Sequence, residues 1–285
     1  MRKRVLATLL VAALVALAGC SGGLPGGEGT DTGERTDSGD RQALESTTAT
    51  VSTFSYPAGA TPSGIENLTT LLDEHEAALS GTNVTLEGNV TFSFMSERLG
   101  PRFTIAHEAT SDETLTTVVS SSSDDTFQSY IGPDVQAYRV QGESGTEYGS
   151  VAGAVNASFA EGTPESFTGR SLLQAIVGSA SYNATGVVTR NGTELVRYEL
   201  TESTSVPDAV FSVGTDLNAT FGQGADYQYE STLLIDSAGV IHEAHYTVTA
   251  GESGRLSSSF GIHVEFTDIG STTVTKPDWT AQVES

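Results

Sequence analysis

From Asn83 to Phe94 the chain follows a period of two. Val84, Leu86, Val90, Phe92 and Phe94 share one parity, and Asn83, Thr85, Glu87, Asn89, Thr91 and Ser93 share the other. Successive strand side chains point to opposite faces, so the run predicts a long strand with one dry and one wet face. Shorter runs follow at Phe103–Ala109, Leu115–Ser121, Phe127–Ile131 and Val135–Val140, and Gly and Ser mark a loop over roughly Gly142–Ala160. Tyr182–Thr189 and Glu194–Leu200 flank Arg190-Asn191-Gly192, where Asn-Gly favours a tight hairpin turn. Tyr227–Ile235 and Val240–Val248 flank a second turn, Asp236-Ser237-Ala238-Gly239. A last strand carries Leu256, Phe260, Ile262, Val264 and Phe266 inward, with His263, Glu265 and Thr267 outward.

Two stretches have helical spacing instead. Ser63-Gly64-Ile65-Glu66 reads as a capping box. It precedes Ile65, Leu68, Leu71, Leu72, His75, Ala78 and Leu79, and Gly81 ends the run. Thr163-Pro164-Glu165 places a cap and a first-turn proline before Phe167, Leu172, Leu173 and Ile176, with Gly178 closing. The expectation is one α+β domain over 59–285, built of about ten antiparallel strands and two helices.

The N-terminal part has a different character. Arg2, Lys3 and Arg4 precede a run from Val5 to Ala18 that is apolar except for Thr8. That is the length of a signal-peptide core and short of the roughly 20 residues a spanning helix needs. Leu17-Ala18-Gly19-Cys20 then matches a lipobox, and Cys20 is the chain's single cysteine. The reading is a signal peptide over 1–19 and a lipid on the Cys20 thiol. A two-chain lipid holds a protein firmly at a membrane, facing the extracellular side. The alternative is a buried thiol beside an uncleaved helix. Sec and Tat export both stay open, and no disulfide supports the exported part. Residues 20–58 are rich in Gly, Ser, Thr and Asp and too poor in apolar side chains to offset their ordering entropy, so they read as a disordered tether.

Charge narrows the partners. The formal net charge is −23. Loss of Arg2, Lys3 and Arg4 leaves 10 basic against 36 acidic residues, a net near −26. Such a surface repels a phosphate backbone, which excludes nucleic acid as a partner. Scarce lysine beside abundant Asp, Glu and Thr fits a halophilic, archaeal setting, since a Debye length of about 3 Å at 1 M salt makes dense like charge tolerable. All seven asparagines, Asn67, Asn83, Asn89, Asn156, Asn183, Asn191 and Asn218, stand two residues before Ser or Thr with no intervening proline. Each is a candidate glycan acceptor, and the alternative is compositional bias from Thr-rich strands.

Chemistry is sparse. His242-Glu243-Ala244-His245 offers histidines at i and i+3 within a strand. Their side chains fall on opposite faces, unlike the i, i+4 helical pair of a zincin. His75 reads as a packed helix residue, and His107 and His263 as isolated strand residues. Gly142-Glu143-Ser144-Gly145 has the wrong spacing for a serine elbow. No phosphate-cradling loop, calcium loop, metal set or cofactor motif is present, and the expectation is a protein that is not an enzyme.

The order of anchor, tether, helix, meander, second helix and hairpins resembles the lipoprotein-carrier fold. That fold is shared by the outer-membrane carrier LolA and the mycobacterial lipid-binding lipoproteins of the LppX type. The likeness is carried by "TLLIDSAGVIHEAHYTV", Thr232 to Val248, and "FGIHVEFTDIGSTTVTKP", Phe260 to Pro277. The entry "YPAGATPSGIENLTTLLDEHEAAL", Tyr56 to Leu79, is similar to haloarchaeal lipoproteins of unknown function. The resemblance implies a strongly curved antiparallel sheet, an open half-barrel with the helices against its concave face, and a hydrophobic, lipid-like ligand. Phe92, Phe94, Phe103, Tyr246, Phe260 and Phe266 would face that ligand. In the alternative they only pack the helices, and the protein is a glycosylated envelope module meeting surface-layer or secreted partners.

Overall fold

The computed structural model describes residues 51–94, 97–121, 123, 125–151, 164–177, 180–203, 227–250 and 258–284. Cys20, the signal segment, the tether up to residue 50, Asn156 and Asn218 lie outside the described residues, as does the side chain of Phe94.

A two-residue pair, β1 (Ala60–Thr61) and β2 (Gly64–Ile65), precedes helix α1 (Leu68–Leu79). Then come β3 (Val84–Phe94), the short β4 (Glu97–Leu99), β5 (Arg102–Glu108), β6 (Glu113–Val119), β7 (Thr126–Ile131), β8 (Gln136–Gly142) and β9 (Gly145–Ser150). Two short helices follow, α2 (Pro164–Phe167) and α3 (Arg170–Val177). The chain continues through β10 (Ala180–Arg190), β11 (Thr193–Ser203), β12 (Tyr227–Asp236), β13 (Ile241–Ala250) and β14 (Ser258–Thr267). It ends in a 3₁₀ turn at Asp278–Thr280 and α4 (Ala281–Glu284).

Strands β3 to β14 form one 12-stranded antiparallel sheet in the order β10-β11-β12-β13-β14-β3-β5-β6-β7-β8-β9, with β4 paired to β3. It is a curved, open half-barrel of α+β class: β9 and β10 are its two edges, and it does not close on itself. The chain returns to its own start at the centre, where β14 pairs with β3 from Thr267↔Thr85 to Ser259↔Ser93.

The concave face holds the main core. Leu71, Leu72 and Leu79 of α1 and Phe167, Leu173, Ile176 and Val177 of α2 and α3 pack on Val84, Leu86, Ile105, Leu233, Ile235, Ala244, Val264 and Phe266. Gly169, at φ 63, separates the two short helices beside Leu86 and Phe266, so the single second helix expected from the sequence is split in two. Arg170 ties α3 to α1 through Asp73 at 2.5 Å and Glu76 at 2.8 Å.

On the opposite face lies a strap that the sequence pattern did not announce. After β14 the chain crosses behind β3 and β5. Thr272 Oγ1 meets Thr85 Oγ1 at 2.9 Å, and the Val274 N–H donates to Glu108 Oε2 at 2.8 Å. Trp279 and Val274 then pack with Tyr130, Val135 and Ala137 in a second, smaller core.

Three expectations need correction. The Ser63–Glu66 capping box does not form: Asn67 is the N-cap, its Oδ1 accepting the Thr70 N–H at 3.0 Å, and Gly64 and Ile65 belong to β2. Gly64 lies so close to the Tyr182 carbonyl that packing against β10 decides its conformation. The expected loop after Gly142 contains the edge strand β9. Phe54 and Tyr56, grouped by composition with the tether, pack against the main core.

Candidate functional site

Strand register arranges the concave face in rows that run across the sheet. At the end nearest the helices Phe266, Leu86 and Ile105 stand side by side, all buried. The next row outward is Leu233, Ala244, Val264, Gly88 and Phe103. A Cβ on Gly88 would sit 2.2 Å from the Phe103 ring, so the missing side chain is the space into which Phe103 leans. Beyond it lie Ser231, Tyr246, Ile262 and Val90. The outermost row is Tyr229, Val248, Phe260, Phe92 and Leu99.

Burial falls outward along β3, β4, β5 and β12 but not along the central strands, where Val248 and Phe260 of the outermost row are fully buried. The helix end is closed, whereas Val90, Phe92, Phe103, Leu200 and Tyr229 are half-buried and Leu99 is 45% exposed. The six ligand-facing candidates therefore divide. Tyr246, Phe260 and Phe266 are core residues, and Phe92 and Phe103 lie at the half-buried end. Phe92 and Phe260 touch with ring centroids 5.0 Å apart.

A group of tyrosines, absent from the sequence reading apart from Tyr246, sits among these rows. Tyr182 Oη donates to Ser231 Oγ at 2.9 Å, and Ser231 Oγ donates on to the His245 carbonyl at 2.9 Å. Tyr198 Oη donates to the Thr61 carbonyl at 2.7 Å. Tyr246, 1% exposed, has no hydrogen-bond partner for its hydroxyl. Burial pushes the Tyr182 phenol up to about 12, and pushes Tyr246 further in the same direction, helped by the nearby Tyr229 and Tyr182. The parity of Tyr229, Ser231, Leu233 and Ile235 was the available signal for this cluster.

The histidines brace strands and helices. His75 donates from Nε2 to the Thr168 carbonyl at 2.9 Å and accepts the Ile241 N–H on Nδ1 at 3.1 Å. Its burial lowers the imidazole pKa to about 4, against the small upward pull of the Thr168 bond. His107 meets Thr114 Oγ1 at 3.0 Å and stacks on Phe167. His242 and His245 part company: His242 donates to Asp236 Oδ2 at 2.9 Å, and His245 meets Thr247 Oγ1 at 3.1 Å. Glu243 takes His263 at 3.0 Å and Arg190 at 2.6 Å, contacts that outweigh burial and hold its carboxyl below the usual range. Among the described residues no group of three His, Cys, Asp or Glu is placed to hold a metal ion, and no helix is long and apolar enough to cross a membrane.

The asparagines also divide. Asn67, Asn183 and Asn191 are exposed, Asn191 at the tip of the β10–β11 hairpin with φ 49. The Asn183 amide, in the orientation that satisfies its neighbours, donates to the Ser63 carbonyl at 2.7 Å. Asn89 is half-buried within β3. Asn83 is a brace: its Nδ2 donates to the Thr272 carbonyl at 2.8 Å and its Oδ1 accepts the Ala109 N–H at 3.0 Å.

Three solved structures align with the chain at low identity. The MucA/MucB complex of Pseudomonas aeruginosa gives 12% identity over 75% of this chain and 60% of that one, with a TM-score of 0.32. This chain thus matches less than two thirds of that protein's length. A DUF1329 family protein from Desulfovibrio piger gives 11% over 73% and 93%, with a TM-score of 0.26. A LolA superfamily protein from Nitrosomonas europaea gives 7% over 74% and 98%, with a TM-score of 0.26. No curated protein matches the chain. The match to a family model extends over residues 5–283, and the chain belongs to that family of unknown function, DUF7537.

Proposed function

We propose that this protein is an exported, lipid-anchored binding protein whose concave sheet face takes up a hydrophobic, lipid-like ligand at the end away from its helices. The observation that carries the reading is the fall in burial outward along β3, β4 and β5, from closed Leu86 and Ile105 to half-buried Val90, Phe92 and Phe103 and exposed Leu99. A soluble protein normally covers a contiguous aromatic and aliphatic surface unless something else does. Each histidine described above is engaged in a structural contact, which favours binding over catalysis. The anchor rests on the lipobox around Cys20.

Solvent extraction of protein purified from its native membrane, followed by mass spectrometry, tests the ligand. A stoichiometric lipid is expected, with its yield reduced by Phe92→Glu combined with Leu99→Glu. Lipid-free native protein that also takes up no lipid in vitro would refute the reading. Membrane release of Cys20→Ser, with a lipid-modified N-terminal peptide in the parent, tests the anchor.

A second reading, a glycosylated interaction module without ligand, draws on the exposure of Asn67, Asn183 and Asn191. Glycopeptide mapping is expected to find sugar at Asn191 and Asn67 and none at Asn83, whose amide holds the strap. Sugar on Asn83 in folded protein would overturn that sorting.

A further inference from the structure

Resting on the ligand reading above, we infer that the ligand is an apolar chain bearing a neutral oxygen acceptor, and that the Tyr246 hydroxyl is the group that receives it. Tyr182, Tyr198 and Tyr246 are all buried among the same rows, and two of the three hydroxyls are accounted for by protein partners. The third is not. A buried hydroxyl with no partner is costly to keep, and folded proteins retain few such groups without a use for them. Tyr246 stands one row inside Phe92, Leu99 and Tyr229. That outer row is closed at Val248 and Phe260 and half-buried at Tyr229 on the adjacent strand, so a chain inserted beside Tyr229 brings an atom a few bonds along it within reach.

The surroundings select among oxygens. The neighbours of Tyr246 across the sheet and along the rows are Ser231, Ile262, Val248, Tyr229 and Tyr182, with no cation among them. A carboxylate or phosphate seated there would be a buried charge without a counter-ion, which is strongly unfavourable. The phenol itself stays protonated, so it acts as a donor. A neutral ester, ketone or ether oxygen on a long hydrocarbon satisfies it; a fatty-acid carboxylate does not.

The experiment compares three radiolabelled probes on full-length protein stripped of endogenous lipid: methyl oleate, 1-octadecene and sodium oleate. Each is delivered from cyclodextrin and its binding is measured by gel filtration. Wild type is expected to bind methyl oleate about two- to tenfold more tightly than octadecene, the worth of one hydrogen bond, and oleate less well than its ester. Tyr246→Phe should erase the preference for the ester, bringing ester and octadecene binding to the same level. Tyr182→Phe, whose hydroxyl already has Ser231, should keep that preference. Equal binding of ester and alkene by wild type, a preference that survives Tyr246→Phe, or tighter binding of oleate would each overturn the inference while the hydrophobic-ligand reading stands. Failure of wild type to bind any probe would overturn both.

Discussion

The two ends of the concave face use the same kind of material differently. On the helices, the described buried polar side chains of the concave face are matched. His75 satisfies both ring nitrogens, one on Thr168 and one on Ile241, and an edge-on Phe266 ring closes the space around it at 4.8 Å. One row inside the outermost row, Tyr246 is buried as deeply as His75 yet has nothing to bond. A polar group in a low-dielectric interior is either fixed by its partners or left waiting for one. The first end is fixed by its partners; the second keeps one donor unmatched.

The largest effect should come from the closed end. Phe266→Ala removes a buried ring from between α1 and the sheet and should cost about 3–5 kcal/mol in urea unfolding. The same truncation at half-buried Phe92 should cost about 1 kcal/mol, in proportion to the area it hides. Similar losses at both sites would erase the contrast.

Acid should sharpen it next. His75 is held neutral, with its folded pKa near 4 against about 6.5 in the unfolded chain. The folded state therefore binds the proton less readily. Its contribution is complete above about pH 6.5 and is lost as pH falls toward 4, on the order of 3 kcal/mol in all. Urea midpoints between those pH values should show this limb, and His75→Leu should flatten most of it. His107, lowered in the same direction by burial, accounts for a residue of the slope. A limb unchanged in His75→Leu would mean that the imidazole is not the group titrating.

The smallest effect has the opposite sign. Tyr246→Phe deletes an unpaired buried hydroxyl without changing shape, so the ligand-free protein should gain up to about 1 kcal/mol. A loss of more than that would reveal a partner for Tyr246 in the free protein.

Much of this architecture was legible in residue order. The alternation from Val84 to Phe94, the Asn191-Gly192 turn and the Asp236–Gly239 turn each fix a strand or hairpin locally, and each appears where expected. Local signals conflicted at Ser63–Thr70, where two caps compete. Tertiary packing of Gly64 against the Tyr182 carbonyl settled the matter in favour of Asn67. Strand β9, Gly-Thr-Glu-Tyr-Gly-Ser, lies almost wholly exposed at an edge and so carries no apolar alternation to read. The strap after β14 has no periodicity either, although the chain's lone tryptophan at Trp279 was a hint of burial. Parity assigns Tyr246 to the inner face. It cannot say which of several inward hydroxyls finds a mate, because that depends on Ser231 and Thr61 arriving from other elements.

The seam between β3 and β14 sets a timetable for the nascent chain. As β3 emerges it can zip to β5 and onward through β9, but its other flank stays bare until the segment beginning at Ser258 has been made and delivered. Until then the partly assembled protein carries a raw, Phe-rich rim of the kind that recruits stray strands. Closure across so long a stretch of sequence is intrinsically slow. A chain with this layout does best when its second half arrives before the first has committed, or when a chaperone shields β3 in the meantime.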